Sequence, residues 1–456
     1  MDWHRKNVLV VGMARSGISS AKLCSRLGSK VTIQDIKTRE ELIKSIKEEI
    51  DILESMGIQM MLGEDPSDII NNFDLIVLSP GVPTDLEFIN KAREYNIPIW
   101  SEIELAFVVC PCPLIAITGT NGKTTTTTLV GEIMKKHNPR SHVVGNIGIP
   151  FTEKVEELKK ESLVVAEISS FQLETINTFK PKVTAVLNIT PDHLNRHKTF
   201  ENYIAAKERI FENQDESDYC ILNEDDDICK KMKDKTRAKL ITFSRKKELA
   251  EGIFLKGNKL WARFGKIDES ICQVDELKIP GNHNIENILA AIAISISMGV
   301  DLEIIKDVII NFRGVEHRIE FVDIIDGVEY YNDSKATNVD AAIIGIKSMK
   351  APIVLIGGGM DKGADFSDWI DAFKGRVKSL IVIGETSDKI IKTANKKDFF
   401  NIKKASSIEE AVILAKKSAV KGDCVLLSPA CASWDMFKSY EERGQLFKRA
   451  VFALRG

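Results

Sequence analysis

Leu114-Ile-Ala-Ile-Thr-Gly119-Thr-Asn-Gly122-Lys123-Thr124-Thr125 is the stretch from which the fold is read. A β-branched apolar run enters a glycine turn, and Lys-Thr closes the turn ahead of a threonine-rich segment. This order predicts a strand over 114–118, a phosphate-cradling loop, and a helix over 125–136. Backbone N–H groups of the turn and of the helix start would then point at phosphate oxygens. Lys123 would place a point charge on the β and γ phosphates, and the Thr124 hydroxyl would reach Mg²⁺. Only two residues separate the two glycines, against four in the full G-x-x-x-x-G-K-[ST] pattern. The plain alternative is a glycine turn capped by threonines. Gly119, Thr120, Asn121, Gly122, Lys123, Thr124 and Thr125 are the candidate nucleotide-phosphate residues.

The same grammar occurs at Val8-Leu-Val-Val-Gly12 and at Ile353-Val-Leu-Ile-Gly357. Continuous apolar runs, rather than alternating ones, fit parallel strands buried on both faces. For 456 residues the prior of roughly 100 to 200 residues per domain allows two to four domains. Three are expected, all α/β: a Rossmann-like domain over 1–101, a central P-loop domain over 102–313, and a second Rossmann-like α/β domain over 314–456. The breaks fall at Ile97-Pro98-Ile99-Trp100-Ser101 and at Phe312-Arg313-Gly314.

Apolar residues at 44% and charged residues at 28% describe a globular chain. A net charge of -3 gives no broad basic face for nucleic acid. No uninterrupted apolar run of about 18 residues offers a membrane span, and the N-terminus lacks a signal-peptide pattern. A cytoplasmic protein is expected. The eight cysteines include no CxxC pair. Cys110-Pro111-Cys112 is the one cluster; it reads as ordinary reduced thiols, with a metal or redox site as the alternative, because zinc sites normally use four ligands in spaced pairs.

A phosphate loop that holds a metal needs a carboxylate at a neighbouring strand end. Leu163-Val-Val-Ala-Glu167 supplies one, so Glu167 is the second metal candidate beside Thr124. After a further apolar run come Asn188-Ile-Thr-Pro-Asp192-His193 and His197. Without a third ligand, the histidine pair is a poor zinc site. The run also lacks the Asn-Lys-x-Asp of a guanine reader, so adenine is favoured. Asn284 and Asn287, three apart at the start of an alanine-rich helix, carry the donor and acceptor that an adenine edge requires, or else cap the helix.

At the N-terminus, Gly12-Met-Ala14-Arg-Ser16-Gly17 and Asp35 nearly form the dinucleotide fingerprint, with Ala14 replacing the middle glycine. A nucleotide-diphosphate ligand, NAD and a tight α/β turn all remain open there. Ser79-Pro80-Gly81 marks another turn on the same sheet edge. The last third carries His317-Arg318, Asn332-Asp333-Ser334-Lys335-Ala336-Thr337-Asn338, Asp361-Lys362-Gly363 and Ser428-Pro-Ala-Cys-Ala-Ser433. Arg318, Lys335 and Lys362 are cations available to phosphate and carboxylates.

In this order the motifs resemble the Mur ligase family across essentially the full chain. Gly119-Thr-Asn-Gly-Lys-Thr-Thr, Glu167-Ile-Ser-Ser-Phe-Gln-Leu-Glu174 and Pro280-Gly-Asn-His-Asn are similar to motifs shared widely in it. Asn332-Asp-Ser-Lys-Ala-Thr-Asn338, Asp361-Lys-Gly-Ala-Asp-Phe366 and Ser428-Pro-Ala-Cys-Ala-Ser433 are similar to those of the branch that adds D-glutamate. The resemblance implies ATP-dependent joining of D-glutamate to UDP-N-acetylmuramoyl-L-alanine through an acyl phosphate, in peptidoglycan precursor synthesis, by a monomer. It implies two Mg²⁺ sites formed by Thr124, Glu167, His193 and Lys207, the last carbamoylated, and places Lys123 and Asn146 with them in the catalytic set. It also puts Asn146 and His193 against the attacking substrate and Ser16, Asp35, Lys37 and Gly81 against the uridine nucleotide. Adenine falls near Asn284 and Asn287, ribose near Asp333, ATP phosphates near Arg318 and Lys335, and D-glutamate near Thr337, Lys362, Ser433 and Tyr440. Lys37 stands where arginine is common, Trp434 where a smaller apolar residue is, and Tyr440 where phenylalanine is. Sister ligases for L-alanine or a diamino acid, a folylpolyglutamate synthase, an NAD dehydrogenase and an NAD- and ATP-sensing regulator are the alternatives. The regulator leaves the C-terminal motifs unexplained.

Overall fold

A computed structural model describes residues 2–455 except Ile147, Pro280 and Lys362. The chain divides into two compact units. One comprises Met1–Leu277 with Asn282–Asn311, the other Lys278–Gly281 with Phe312–Gly456.

The first unit carries two sheets. The five-stranded one is parallel throughout, in the spatial order Gln59–Leu62, Lys30–Asp35, Asn7–Val11, Leu75–Leu78, Ile99–Ser101. Its strand order reverses beside Asn7–Val11, so the ends of that strand and its neighbours open a crevice suited to a ligand. Gly12 sits there at φ +96°. A Cβ on Gly17 would lie 1.8 Å from the Gly12 carbonyl oxygen, so the first turn of the helix Arg15–Arg26 can close on the strand end only with glycine at 17.

The nine-stranded sheet has the parallel strands Ser141–Gly145, Leu163–Glu167, Leu114–Thr118, Val183–Val186, Tyr219–Asn223, Lys239–Ser244 and Gly252–Lys256 in spatial order. Lys259–Phe264 and Ile267–Gln273 extend it by antiparallel pairing. The strand expected over 114–118 is fully buried. The helix after it is Lys123–His137, so it begins two residues earlier than expected. Gly122, at φ +82°, acts as its N-cap.

The helix Glu102–Val109 joins the two sheets. Its Glu102 accepts from the Thr152 N–H at 2.7 Å and hydroxyl at 2.9 Å. Glu104 accepts from the N–H groups of Asn177, Thr178 and Phe179. Both oxygens of Glu104 are satisfied, whereas Glu102 takes both donors on Oε1 and leaves Oε2 buried without a partner; these bonds fix the helix against the central sheet.

The second unit holds a six-stranded sheet in the order Glu320–Ile325, Val328–Asn332, Cys424–Leu427, Ile353–Gly358, Val377–Ile383, Ile402–Lys404. Only the first pair is antiparallel. Cores lie on both of its faces, one around Trp369 and Phe366, the other around Phe447 and Tyr330. Among the described residues no helix is long and apolar enough to cross a membrane.

Candidate active site

The loop between Thr118 and Lys123 is held open by partners distant in sequence. Gly119 has φ +153°, and a Cβ on Gly122 would lie 2.2 Å from Asn287 Oδ1. The helix Asn282–Ser297 therefore rests its Asn287 on the glycine turn, and Asn287 Nδ2 donates to Asn284 Oδ1 at 3.3 Å. On the other side the Thr120 N–H donates to Asn188 O at 2.9 Å, and the Asn121 N–H to Asn188 Oδ1 at 2.8 Å. Asn188 Nδ2 returns a bond to Asn121 O at 3.1 Å. Asn188, noted in sequence only as a failed guanine reader, is the side chain that sets this loop's shape. No local signal in the sequence marks it.

The helix Phe200–Glu208 packs against the same loop. Tyr203 and Lys207, four apart, share its inward face. The Tyr203 hydroxyl lies 3.0 Å from Thr120 Oγ1. Lys207 Nζ donates to Gly119 O at 2.8 Å and to Thr118 Oγ1 at 3.3 Å, and sits 4.9 Å from the centre of the Tyr203 ring. Lys207 is 1% exposed. Burial, reinforced by the Lys123 charge, pushes its pKa well below the usual lysine range. Lys123 Nζ donates to Gly119 O and Thr120 O, each at 2.8 Å.

Glu167 ends its strand beside this loop and is buried. Its Oε1 accepts from Asn146 Nδ2 at 2.8 Å, whereas its Oε2 is buried with no hydrogen-bond partner. A buried carboxylate oxygen left without a donor fits a cation, because only a ligand would offset its desolvation. With the glycine cradle, the start of a 15-residue helix and the buried Thr124, the residues present fit a nucleotide phosphate carried with a divalent metal.

His193 and His197 have separate fates. His193, at φ +51°, is half-exposed and lies tilted against Phe171, with ring centres 4.9 Å apart. His197 is buried, its Nε2 3.0 Å from Ser170 Oγ and its Nδ1 3.4 Å from Glu174 Oε1. Burial lowers its pKa. Glu174 also takes Arg196, at 2.7 Å. The second half of the 167–174 motif thus anchors the segment that presents His193.

In the N-terminal crevice, Asp35 Oδ2 accepts from the Met13 N–H at 2.7 Å and Oδ1 from the Lys37 N–H at 2.9 Å. The Ser79 hydroxyl donates to Gly12 O at 3.1 Å. Asp35, Ser16 and Ser79 thus gather at adjacent strand ends, while Lys37 and Gly81 are exposed at the rim.

In the second unit, Asp333 is buried, and its Oδ2 accepts from Ser428 Oγ at 2.7 Å. Desolvation raises its pKa to about 7. Asn332 Nδ2 lies 2.9 Å from His317 Nδ1. Lys335 Nζ lies 5.9 Å from the centre of the Tyr440 ring, and the Lys335 N–H donates to His317 O at 3.0 Å. Ser433 is buried at the loop after Cys424–Leu427. Arg443, which sequence reasoning missed, is fully buried. It donates to Ser334 Oγ and O at 2.9 and 2.8 Å and to the Cys431 and Ala432 carbonyls at 3.2 and 3.3 Å. It locks the 332–338 and 428–433 motifs together. Lys362 lies outside the described residues.

Three family models match the chain: "Mur ligase MurD-like, N-terminal domain" over 6–101, "Mur ligase middle domain" over 117–295, and "Mur ligase, glutamate ligase domain" over 317–431. The chain belongs to the Mur ligase family. This Mur ligase is 48% identical to the UDP-N-acetylmuramoylalanine--D-glutamate ligase of Thermoanaerobacter pseudethanolicus over 457 residues, covering 100% of both chains. It is 48% identical to the protein of the same name from Clostridioides difficile over 458 residues, again with 100% of both covered. The crystal structure of UDP-N-acetylmuramate-alanine ligase MurC from Thermotoga maritima shares its fold, with a TM-score of 0.58 at 21% identity over 98% of this Mur ligase and 100% of that chain.

Proposed function

We propose that this Mur ligase forms the amide between the carboxylate of UDP-N-acetylmuramoyl-L-alanine and the amine of D-glutamate, with ATP, during cytoplasmic synthesis of peptidoglycan precursors. The observation that carries the reading is full-length identity of 48% to relatives named for that product. The glycine loop from Gly119 to Lys123, with the buried Thr124 and Lys207 against it, supports its ATP half. We keep the partition into domains over 1–101, 102–313 and 314–456, and a monomeric enzyme.

The chemistry has two transfers. The substrate carboxylate attacks the γ-phosphorus and ADP leaves, giving an acyl phosphate. The D-glutamate amine then adds to the acyl carbon, loses a proton, and the tetrahedral intermediate collapses with release of phosphate. Both steps bring anions together, so charge must be offset while geometry is fixed. Lys123 and the 119–125 backbone hold the ATP phosphates. Thr124 and Glu167 would hold one Mg²⁺, and His193 with a carbamoylated Lys207 a second; such ions offset the phosphate charge.

Carbamoylation suits this lysine. A free ammonium would repel a metal, whereas the neutral amine favoured by burial can add to CO₂, losing one N–H proton and becoming a carboxylate. Asn146 and His193 contact the attacking substrate, and Ser16, Asp35, Lys37 and Gly81 the uridine nucleotide. Asn284 and Asn287 serve adenine, Asp333 the ribose, and Arg318 and Lys335 the ATP phosphates. Thr337, Lys362, Ser433 and Tyr440 surround D-glutamate.

Phosphate release from ATP tests the reading. It should require both UDP-N-acetylmuramoyl-L-alanine and D-glutamate, and fall to background when L-alanine or a diamino acid replaces D-glutamate. Equal release with the replacements would sink it.

A further inference from the structure

Cys110 and Cys112 bring their sulfur atoms to 3.5 Å across Pro111. Both side chains are half-buried, Pro111 is exposed, and the other six cysteines of the chain are buried. The pair stands where the helix Glu102–Val109 hands over to the strand Leu114–Thr118, which runs straight into the glycine loop. A proline between two cysteines restricts the backbone and keeps both sulfurs on one side. Either sulfur can donate in this contact, and the Cys110 thiol also lies 3.5 Å from the Cys112 carbonyl oxygen; a proton shared between the two sulfurs favours the thiolate at Cys110 and the protonated thiol at Cys112.

We infer that Cys110 and Cys112 form a redox modification site that a low-molecular-weight disulfide converts to an intramolecular disulfide. The Cys110 thiolate attacks one sulfur of the reagent disulfide and expels the other as a thiolate, leaving a mixed disulfide on Cys110. Cys112 then loses its proton and attacks the Cys110 sulfur, expelling the second reagent thiolate. The protein gives up two electrons and two protons, and the reagent is reduced to two thiols. A close second sulfur makes the mixed disulfide short-lived. The six buried thiols cannot compete, because their burial keeps them protonated and out of reach of the reagent.

The full-length reduced protein, exposed to oxidised glutathione, quenched in acid and alkylated after unfolding, gives the test by peptide mass spectrometry. The expected result is a peptide spanning 110–112 that has lost two hydrogens and takes no alkyl group, with the other six cysteines fully alkylated. In Cys112→Ser the same treatment should leave a stable glutathione adduct on Cys110. In Cys110→Ser the adduct at Cys112 should form at least about tenfold more slowly, since the thiolate is lost. The inference is overturned if both wild-type thiols remain alkylatable, or if the glutathione adduct on wild-type Cys110 persists as it does in Cys112→Ser.

Discussion

The ammonium groups of Lys123 and Lys207 converge on one oxygen, the Gly119 carbonyl, each at 2.8 Å. Two cations on one acceptor repel, and the buried one yields its proton first. Lys207 therefore carries the amine ready for CO₂. With ¹³C-bicarbonate the protein should show a carbamate carbon resonance that is missing in Lys207→Met, and the variant should lose ligase activity by about a hundredfold or more. A wild-type spectrum without that resonance would show the lysine to be unmodified.

Glu167 holds one oxygen on Asn146 and leaves the other buried without a donor. Replacing it by Gln keeps the shape but removes a buried negative charge. Glu167→Gln should unfold no earlier than wild type, since the uncompensated charge is gone. Its ligase activity should nevertheless fall by about a hundredfold, with a higher Mg²⁺ requirement. Thermal unfolding and a Mg²⁺ titration of phosphate release measure the two halves separately.

Arg443 contributes nothing to any surface yet bridges Ser334 to the Cys431 and Ala432 carbonyls. Arg443→Met removes the donor from the Ser334 and Cys431 carbonyls, while the Ala432 carbonyl keeps the Met360 N–H, and each orphaned carbonyl costs about 1–3 kcal/mol. The KM for D-glutamate should rise far more than the KM for UDP-N-acetylmuramoyl-L-alanine, because the two joined motifs carry the proposed amino-acid site. Equal rises in both would indicate a general loss of fold.

Asp333 gives stability a pH dependence. Its folded pKa, about 7, lies above the usual carboxylate value of about 4 that applies to the unfolded chain. Between those values the folded state binds a proton that the unfolded state does not, so this contribution is fully present below about pH 4 and is lost as pH rises through about 7. The slope from this group is at most about 1.4 kcal/mol per pH unit. Urea unfolding of the full chain between pH 5 and 8 should show that fall, and Asp333→Asn should flatten it.

Local patterns told most of the architecture. The run Leu114–Thr118 with its glycines, and Leu163–Glu167 with its terminal carboxylate, are strands and loops that neighbouring residues alone determine. What stayed hidden depends on contacts between distant segments. Lys207 reads as one more helix lysine until the Tyr203 face of its helix is laid against Gly119. Asn188 and Arg443 act on loops 67 and 109 residues away. The hairpin Lys259–Phe264 and Ile267–Gln273 was missed because short half-exposed strands lack the continuous apolar signal of the parallel ones. Asp35 reads as the acid of a near-fingerprint by its position, and the structure shows its carboxylate tying Met13 and Lys37 into one crevice wall.

Isotope transfer tests the central claim most directly. The protein, ATP, Mg²⁺ and UDP-N-acetylmuramoyl-L-alanine are incubated with ¹⁵N-labelled D-glutamate, and the nucleotide fraction is weighed by mass spectrometry. The account predicts a nucleotide heavier by one glutamyl residue and carrying the ¹⁵N, formed with the D enantiomer and not the L. A nucleotide of unchanged mass, or the same gain with L-glutamate, would contradict it.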